Sequence, residues 1–354
     1  MSPLVRKHSV TAGAIDKLDA TEVRTDVIVT AVRTAAGALK LIAWQLVGDE
    51  LVRRGEASGG PVGTVSVSVV GGRVATACRD SFGKMTLGLW DVSTDGQIQK
   101  ADTAAAGTIE RSTPIGLGST SMATAVTEAS GHLKVIGWSV SAGGELTRRG
   151  DASGGAAELV AADRWLDRRF VTALRNASGN LELIHWIFRE DGTVDRLGEI
   201  TAGAVGGLDV IRDHELTGSD HQVFMTAVRD SSGKLKLIAW RVTAEGPIER
   251  LTDFKPGMHC SKPSLVHIGV GRHAVAYVND VNELRIQCFR WGVQADPGDP
   301  TVPTGHGFDL REGGVGGTAS LVSAAEIGQT SCVTAVRDGN GNLKVILWTL
   351  EDSG

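Results

Sequence analysis

The sequence predicts an all-β chain: seven four-stranded antiparallel sheets in a single ring, closed by the N-terminal strand. Three observations carry this. A unit of about 50 residues recurs along the chain. Each unit reads as four short strands divided by turns. The last unit lacks its fourth strand at Gly354, and a matching strand stands at the N-terminus.

The recurrence is plain in the residues. Ala31-Val32-Arg33, Gly37 and LKLIAW at 39–44 return as Thr226-Ala227-Val228-Arg229, Gly233 and LKLIAW at 235–240. They return again at 334–337, Gly341 and LKVILW at 343–348. Counting Trp44, Trp90, Trp138, Trp186, Trp240, Trp291 and Trp348 as the repeat tryptophans gives spacings of 46, 48, 48, 54, 51 and 57. Such a period is too long for helical solenoids of about 34 residues.

Within the second unit, residues 64–70 alternate Val and Ser before Gly71-Gly72, and residues 74–79 form a second strand. Asp80-Ser81-Phe82-Gly83 is a hairpin turn with Gly where a positive φ is needed. Residues 85–92 and 97–101 supply the third and fourth strands. No window carries a capped 3.6-residue period, so helix is not expected. Leu4-Val5-Arg6-Lys7 matches Leu51-Val52-Arg53-Arg54 and Leu146-Thr147-Arg148-Arg149, which assigns the N-terminus to the outer strand of the seventh unit. Pairing first with last removes an open sheet edge. The units run 14–60, 61–107, 108–155, 156–204, 205–257, 258–314 and 315–354 with 1–13, one domain over 1–354.

Over its whole length this pattern resembles the seven-bladed β-propeller. It departs from the WD40 repeat, since only Trp90-Asp91 makes that dipeptide, and from kelch repeats, whose Tyr is absent. The calcium loop of integrin-type blades is missing too. The resemblance therefore implies a fold and carries over no functional residue.

Composition narrows the function classes. The net charge is −5 with 22% charged residues, which disfavours nucleic acid as a partner. No apolar run reaches 18 residues, and the N-terminus lacks a signal-peptide core, so neither a membrane nor export is expected, and a cytoplasmic monomer is. Cys78, Cys260, Cys288 and Cys332 form no CxxC pair and read as buried thiols. GxSxG, P-loop, HExxH and GxGxxG are absent.

Several tempting features have plainer readings. The repeat tryptophans close an apolar third strand, where a ring fills the wedge between blades, rather than forming seven sugar platforms. The repeated Arg33, Arg79, Arg175, Arg229 and Arg337 precede turns and read as local structural anchors. Asp338-Gly339-Asn340-Gly341-Asn342 has Leu343 and Thr349 where a calcium loop needs Gly and Glu. Arg149-Gly150-Asp151 fills the slot of Arg54-Gly55-Glu56, and Asn176-Ala177-Ser178 lies in a turn.

Departures from the repeat carry more information. The first-to-second connection lengthens in blade 4 (163–169, with Trp165 outside the repeat position), in blade 5 (213–221) and in blade 6 (267–273). Blade 6 also gains an insertion at 292–314. Of nine histidines, six lie between 214 and 306. Propeller topology puts His214, His221, His273 and His306 on one face, with His267 near the end of an inner strand, and Trp165, Asp213 and Asp220 beside them. Convergent His and carboxylates suit acid–base work or a divalent metal, for which His214, His221 and His273 are the candidate ligands. The alternative is solvated loops whose histidines never meet. The opposite face is small and smooth except at 255–262, where His259 and Cys260 raise a weak nucleophile-pair reading. Polar residues expected near the channel include Ser66, Ser68, Glu110, Arg111, Glu158 and Asp209.

The expectation is a lectin-like binding module with one asymmetric site for a small molecule or carbohydrate, lined by Trp165, His214, His221, His267, His273 and His306. The alternatives are an enzyme (lyase, hydrolase or cyclase) using His214, His273, Asp213 or His259, and a protein-interaction scaffold. Bound metal lost on His214→Ala and His273→Ala would favour the enzyme.

Overall fold

The computed structural model describes residues 4–166, 168–217, 220–269, 271–295 and 303–351, with backbone alone at 214–217, 293–295 and 303–306. Every regular element among them is a strand. Sheet 1 comprises β1 (Leu4–Arg24), β2 (Val27–Thr34), β3 (Ala38–Val47) and β4 (Glu50–Val70). Sheet 2 pairs β4 with β5 (Arg73–Asp80), β6 (Lys84–Val92) and β7 (Ile98–Gly116). Sheet 3 pairs β7 with β8 (Ser121–Glu128), β9 (His132–Val140) and β10 (Leu146–Arg164). Sheet 4 continues with β11 (Arg169–Asn176), β12 (Asn180–Phe188) and β13 (Val194–Thr217). Sheet 5 adds β14 (His221–Asp230), β15 (Leu235–Thr243) and β16 (Ile248–Phe254). Sheet 6 holds β17 (Pro263–His267), β18 (Arg272–Val278), β19 (Glu283–Ala295) and β20 (Pro303–Ile327). Sheet 7 joins β20 to β21 (Ser331–Asp338) and β22 (Asn342–Leu350), and the N-terminal half of β1 completes it, Leu4 opposite Leu350 and Ala14 opposite Asn342. This is the all-β propeller expected from the repeat, closed by its N-terminal strand.

Six strands, β1, β4, β7, β10, β13 and β20, each serve two sheets, as outer strand of one and inner strand of the next. The break falls between β16 and β17, at the 255–262 connection singled out in the sequence.

Middle strands are buried on both faces because each sheet is sandwiched between two others. Their sequences are accordingly continuous apolar runs, as in VIVTAV of β2, not an in–out alternation. The core lies between the sheets as separate apolar layers, not as one central mass. The β2–β3 type turns place a positive φ on Gly37, Gly83, Gly131, Gly179, Gly233 and Gly341; in sheet 6 Asn282 takes that role at φ 58°.

The repeat tryptophan is a core residue with a polar handle. In six sheets its Nε1 donates to a threonine Oγ1 fourteen residues earlier, at 2.9–3.0 Å: Trp44 to Thr30, Trp90 to Thr76, Trp138 to Thr124, Trp186 to Thr172, Trp240 to Thr226 and Trp348 to Thr334. Sheet 6 differs from the sequence-based count. Its register sets Phe289 opposite His273, as Trp240 stands opposite Phe224, so Phe289 and not Trp291 holds the repeat position. Val275 then occupies the threonine position, and both hydrogen-bonding partners have been replaced by apolar groups. Thr226→Val should cost about 1–3 kcal/mol, because it strands a buried indole N–H. Adding Trp240→Phe to it should recover part of that loss in urea titration; a purely additive double variant would show that the bond carries nothing.

The inner strands are tied to each other by side-chain hydrogen bonds at each of the seven junctions. Asp19 accepts from Val67 N (2.9 Å), Asp163 from Arg212 N (2.6 Å) and Asp209 from Leu265 N (2.7 Å). Ser264 accepts from Ala324 N (3.0 Å) and Ser323 from Ala20 N (3.1 Å). Ser66 donates to Ser112 O (2.6 Å) and Thr113 to Val160 O (3.3 Å). Ser66 and Asp209 were expected among the channel residues; here they act as fasteners. Burial leaves Asp209 hard to ionise, pushed up to about 6 despite the two N–H donors it accepts from.

The repeat arginines also bind inner strands. Arg33 pairs with Asp16 and Arg175 with Glu158, while Arg79 and Arg337 donate through Nε to the Ile109 and Ile15 carbonyls of the next sheet. All four cysteines are buried free thiols. Among the described residues no helix is long and apolar enough to cross a membrane.

Candidate functional site

The inner strands all end on one face, and the register identifies equivalent positions there. Glu22, Val69, Gly116, Arg164, Arg212, His267 and Glu326 each pair with the residue that faces the repeat aromatic position. Small or apolar groups hold this ring on sheets 2 and 3. Charged or titratable groups hold it on the other five. The asymmetry is therefore built into a single position of the repeat.

A cavity of about 730 Å3 opens at this ring between sheets 6, 7 and 1. Glu22, Glu326, His267 and Arg272 line it, with Thr25 and Gln329 from the adjoining turns. Glu22, Glu326 and Arg272 are half-buried. Among the described residues neither carboxylate, nor the guanidinium, has a hydrogen-bond or ion-pair partner. Burial, and then the Glu326 charge, push Glu22 up to about 7. Burial raises Glu326 as well, against the opposing effect of His267.

Folded Glu22 holds its proton up to about pH 7, whereas in the unfolded chain it ionises near 4.5. The folded state thus binds more protons across that window, and stability falls as pH rises through it. Glu22→Gln should raise the melting temperature at pH 8 by about 2 °C, equivalent to about 1 kcal/mol after discounting for solvent, and change little at pH 5. An identical shift at both pH values would count against a desolvated carboxyl.

Behind the cavity lies a buried polar cluster of sheets 4 to 6. His267 links the two: its Nε2 meets the Arg212 carbonyl at 2.7 Å, and its ring lies 4.4 Å from that of His273. His273 is fully buried on β18, where β2, β5, β8, β11, β14 and β21 carry Ile28, Val74, Met122, Phe170, Phe224 and Cys332. Its Nε2 lies 3.9 Å from Asp213, and its ring packs on Phe289. Arg212, Asp213 and Gln222 are buried, and the Gln222 amide donates to the Asp213 carbonyl. Burial raises Asp163, which accepts from the Arg212 backbone.

His267, His273 and Asp213 therefore come together, while other sequence candidates lie apart. Trp165 is 4% exposed, packed against His185 (5.3 Å between rings) with the Arg169 guanidinium over it (5.8 Å). It offers no open stacking face. His185 is fully buried and held neutral, pushed down to about 4 by burial and then by Arg169. His221 and Asp220 are exposed at the start of β14. The His214 and His306 side chains lie outside the described residues. His259 is exposed on the opposite face, beside a smaller cavity of about 370 Å3 that Tyr277 and Arg285 also line. Neighbouring Cys260 is buried and pushed up to about 12 by desolvation, a poor nucleophile at neutral pH. Among the described residues no three His, Cys, Asp or Glu side chains cluster as a metal ion would require.

Glu22, Glu326 and Arg272 were missed in the sequence. The first two sit in regular repeats; comparing the last residues of the seven inner strands column by column would have exposed them.

The fold has solved counterparts. A protein from Lactobacillus plantarum superimposes with a TM-score of 0.58 at 13% identity, covering 91% of this chain and 88% of that one. The WD40 domain of Toxoplasma gondii coronin does so with a TM-score of 0.58 at 11% identity, covering 99% and 88%. At such identities the likeness concerns the β-propeller fold alone. No protein-family model matches the chain, and no curated protein matches it in sequence.

Proposed function

We propose that the chain is a monomeric binding propeller that takes one small polar molecule, sugars included, at the mouth between sheets 6, 7 and 1. The observation that carries this is the convergence of three half-buried charged side chains, Glu22, Glu326 and Arg272, on one cavity without protein partners among the described residues. Partly desolvated charges cost stability unless something compensates them, and such groups facing a concave site mark where a ligand supplies the compensation. A single site per chain is expected because the ring of inner-strand ends is not uniform: sheets 2 and 3 carry small or apolar groups there, and the cavity opens at sheets 6, 7 and 1.

Titration calorimetry against monosaccharides, amino acids and organic acids tests it. One ligand per chain is expected, with binding abolished by Thr25→Trp, which fills the mouth from an exposed turn without touching the core. Seven ligands per chain, or a Thr25→Trp variant that binds as before, would contradict the reading.

One observation favours a second reading, an acid–base enzyme. Glu22 and Glu326 interact, and one of them ionises near neutrality beside His267, the arrangement in which one carboxyl serves as acid and its neighbour as base. Recovery of every bound ligand unchanged after prolonged incubation would remove it.

A further inference from the structure

The chemistry of the mouth specifies its ligand further. We infer that the cavity recognises a small zwitterion, its ammonium group held between Glu22 and Glu326 and its carboxylate held by Arg272. The inference rests on the binding reading above and adds the ligand's charge pattern to it.

The two signs of charge come from different sheets. Glu22 ends the inner strand of sheet 1 and Glu326 that of sheet 7, at equivalent positions of neighbouring sheets. Arg272 opens β18 in sheet 6. The carboxylates are close enough to repel one another. A monovalent cation between them relieves that repulsion and the cost of burial together, which a neutral hydroxyl does only in part. Arg272, planar and without an ion-pair partner, presents a fork that matches a carboxylate in bidentate fashion. A simple amine would leave Arg272 uncompensated, and a simple acid would meet two carboxylates.

Proton linkage follows. His267 and Arg272 are the other titratable and charged groups lining the cavity, and behind His267 stand Arg212 and Asp163. An ammonium arriving at pH 7 drives Glu22 to ionise, so binding releases a proton to the buffer.

The experiment is calorimetry with L-alanine, L-lysine, ethylamine, propionate and galactose, in two buffers of different ionisation heat. Ethylamine is alanine without its carboxylate, and propionate is alanine without its amine. An amino acid should bind at least about tenfold tighter than either single-charge analogue. Glu326→Gln should weaken amino-acid binding about tenfold while leaving propionate unchanged or improved, and Arg272→Gln should weaken it about tenfold while leaving ethylamine unchanged. The enthalpy should differ between buffers for the parent chain and not for Glu22→Gln. Circular dichroism and melting temperature check each variant's fold, and Arg272→Lys, which keeps the charge and loses the fork, replaces any Arg272→Gln that does not fold. Galactose or ethylamine binding as tightly as the amino acids overturns the inference. If that binding is single-site and blocked by Thr25→Trp, the charge pattern fails while the mouth remains a binding site. If none of the probes binds below about 10 mM, the charge pattern fails by itself, since the wider ligand panel still tests the mouth.

Discussion

Replacing Arg212 with methionine is expected to remove about 3 kcal/mol of stability at pH 8 and distinctly less at pH 5. Arg212 is 7% exposed and its charge acts on both Asp163 and Asp213. Methionine preserves much of the stem's packing and deletes the buried cation, leaving carboxylates behind. Breaking a buried charge cluster from one side costs more than the cluster contributes, because the remaining charges stay desolvated. Asp163 supplies the pH dependence. Burial already raises it above the ordinary 3.8, and loss of the guanidinium raises it further. Protonation as pH falls towards that raised value relieves the cost in the folded state, so the deficit shrinks in acid. Urea titration at both pH values reads the effect. A deficit equal at pH 5 and pH 8 would assign it to lost packing instead.

Deleting residues 1–13 should lower the melting temperature by about 10 °C or more and make the protein associate in a concentration-dependent way. The deletion strips β22 of a partner that faces it from Leu350 to Lys344. It also takes away Leu4, which is 4% exposed among the apolar residues of sheets 6 and 7, the Lys7–Glu351 ion pair at 2.6 Å, and the His8 acceptor of Leu51 N at 3.0 Å. An exposed, apolar edge strand is a template for pairing with another chain. A synthetic peptide of residues 1–13 added in trans should restore most of the loss by filling the empty edge. Unchanged melting of the truncated chain would show that the first strand is dispensable.

The architecture was legible because the repeat samples the same strand pattern several times over. Turn glycines, apolar middle strands and the displaced first strand each recur, so one ambiguous segment decides nothing. Sheet 6 was the weak point. Tryptophan spacing alone put Trp291 in register, whereas pairing across β18 and β19 puts Phe289 there. Nothing in a composition count reveals that Val275 and Phe289 changed together. The site was half legible. His267 and His273 stood out because histidines crowd the lengthened connections of blades 5 and 6, and they do pack together. Trp165 stood out as a tryptophan outside the repeat position, yet it pairs with buried His185, a partner twenty residues away on β12. Glu22 and Glu326 belong to otherwise ordinary repeats and become special only when the ring brings sheets 7 and 1 side by side.

Sheet 6 also shows that the two partners of the repeat's buried pair are not interchangeable in cost. A threonine–tryptophan pair cannot become valine–phenylalanine in one step, and the two intermediates are unequal. Losing threonine first leaves an indole N–H buried with no acceptor. Losing tryptophan first leaves a hydroxyl that still reaches a carbonyl across its own hairpin, as Thr30 does at Ile42 (3.4 Å) and Thr76 at Gly88 (3.5 Å). In hydrogen bonding the route through phenylalanine is therefore the less costly of the two, and the same asymmetry applies at the six intact pairs.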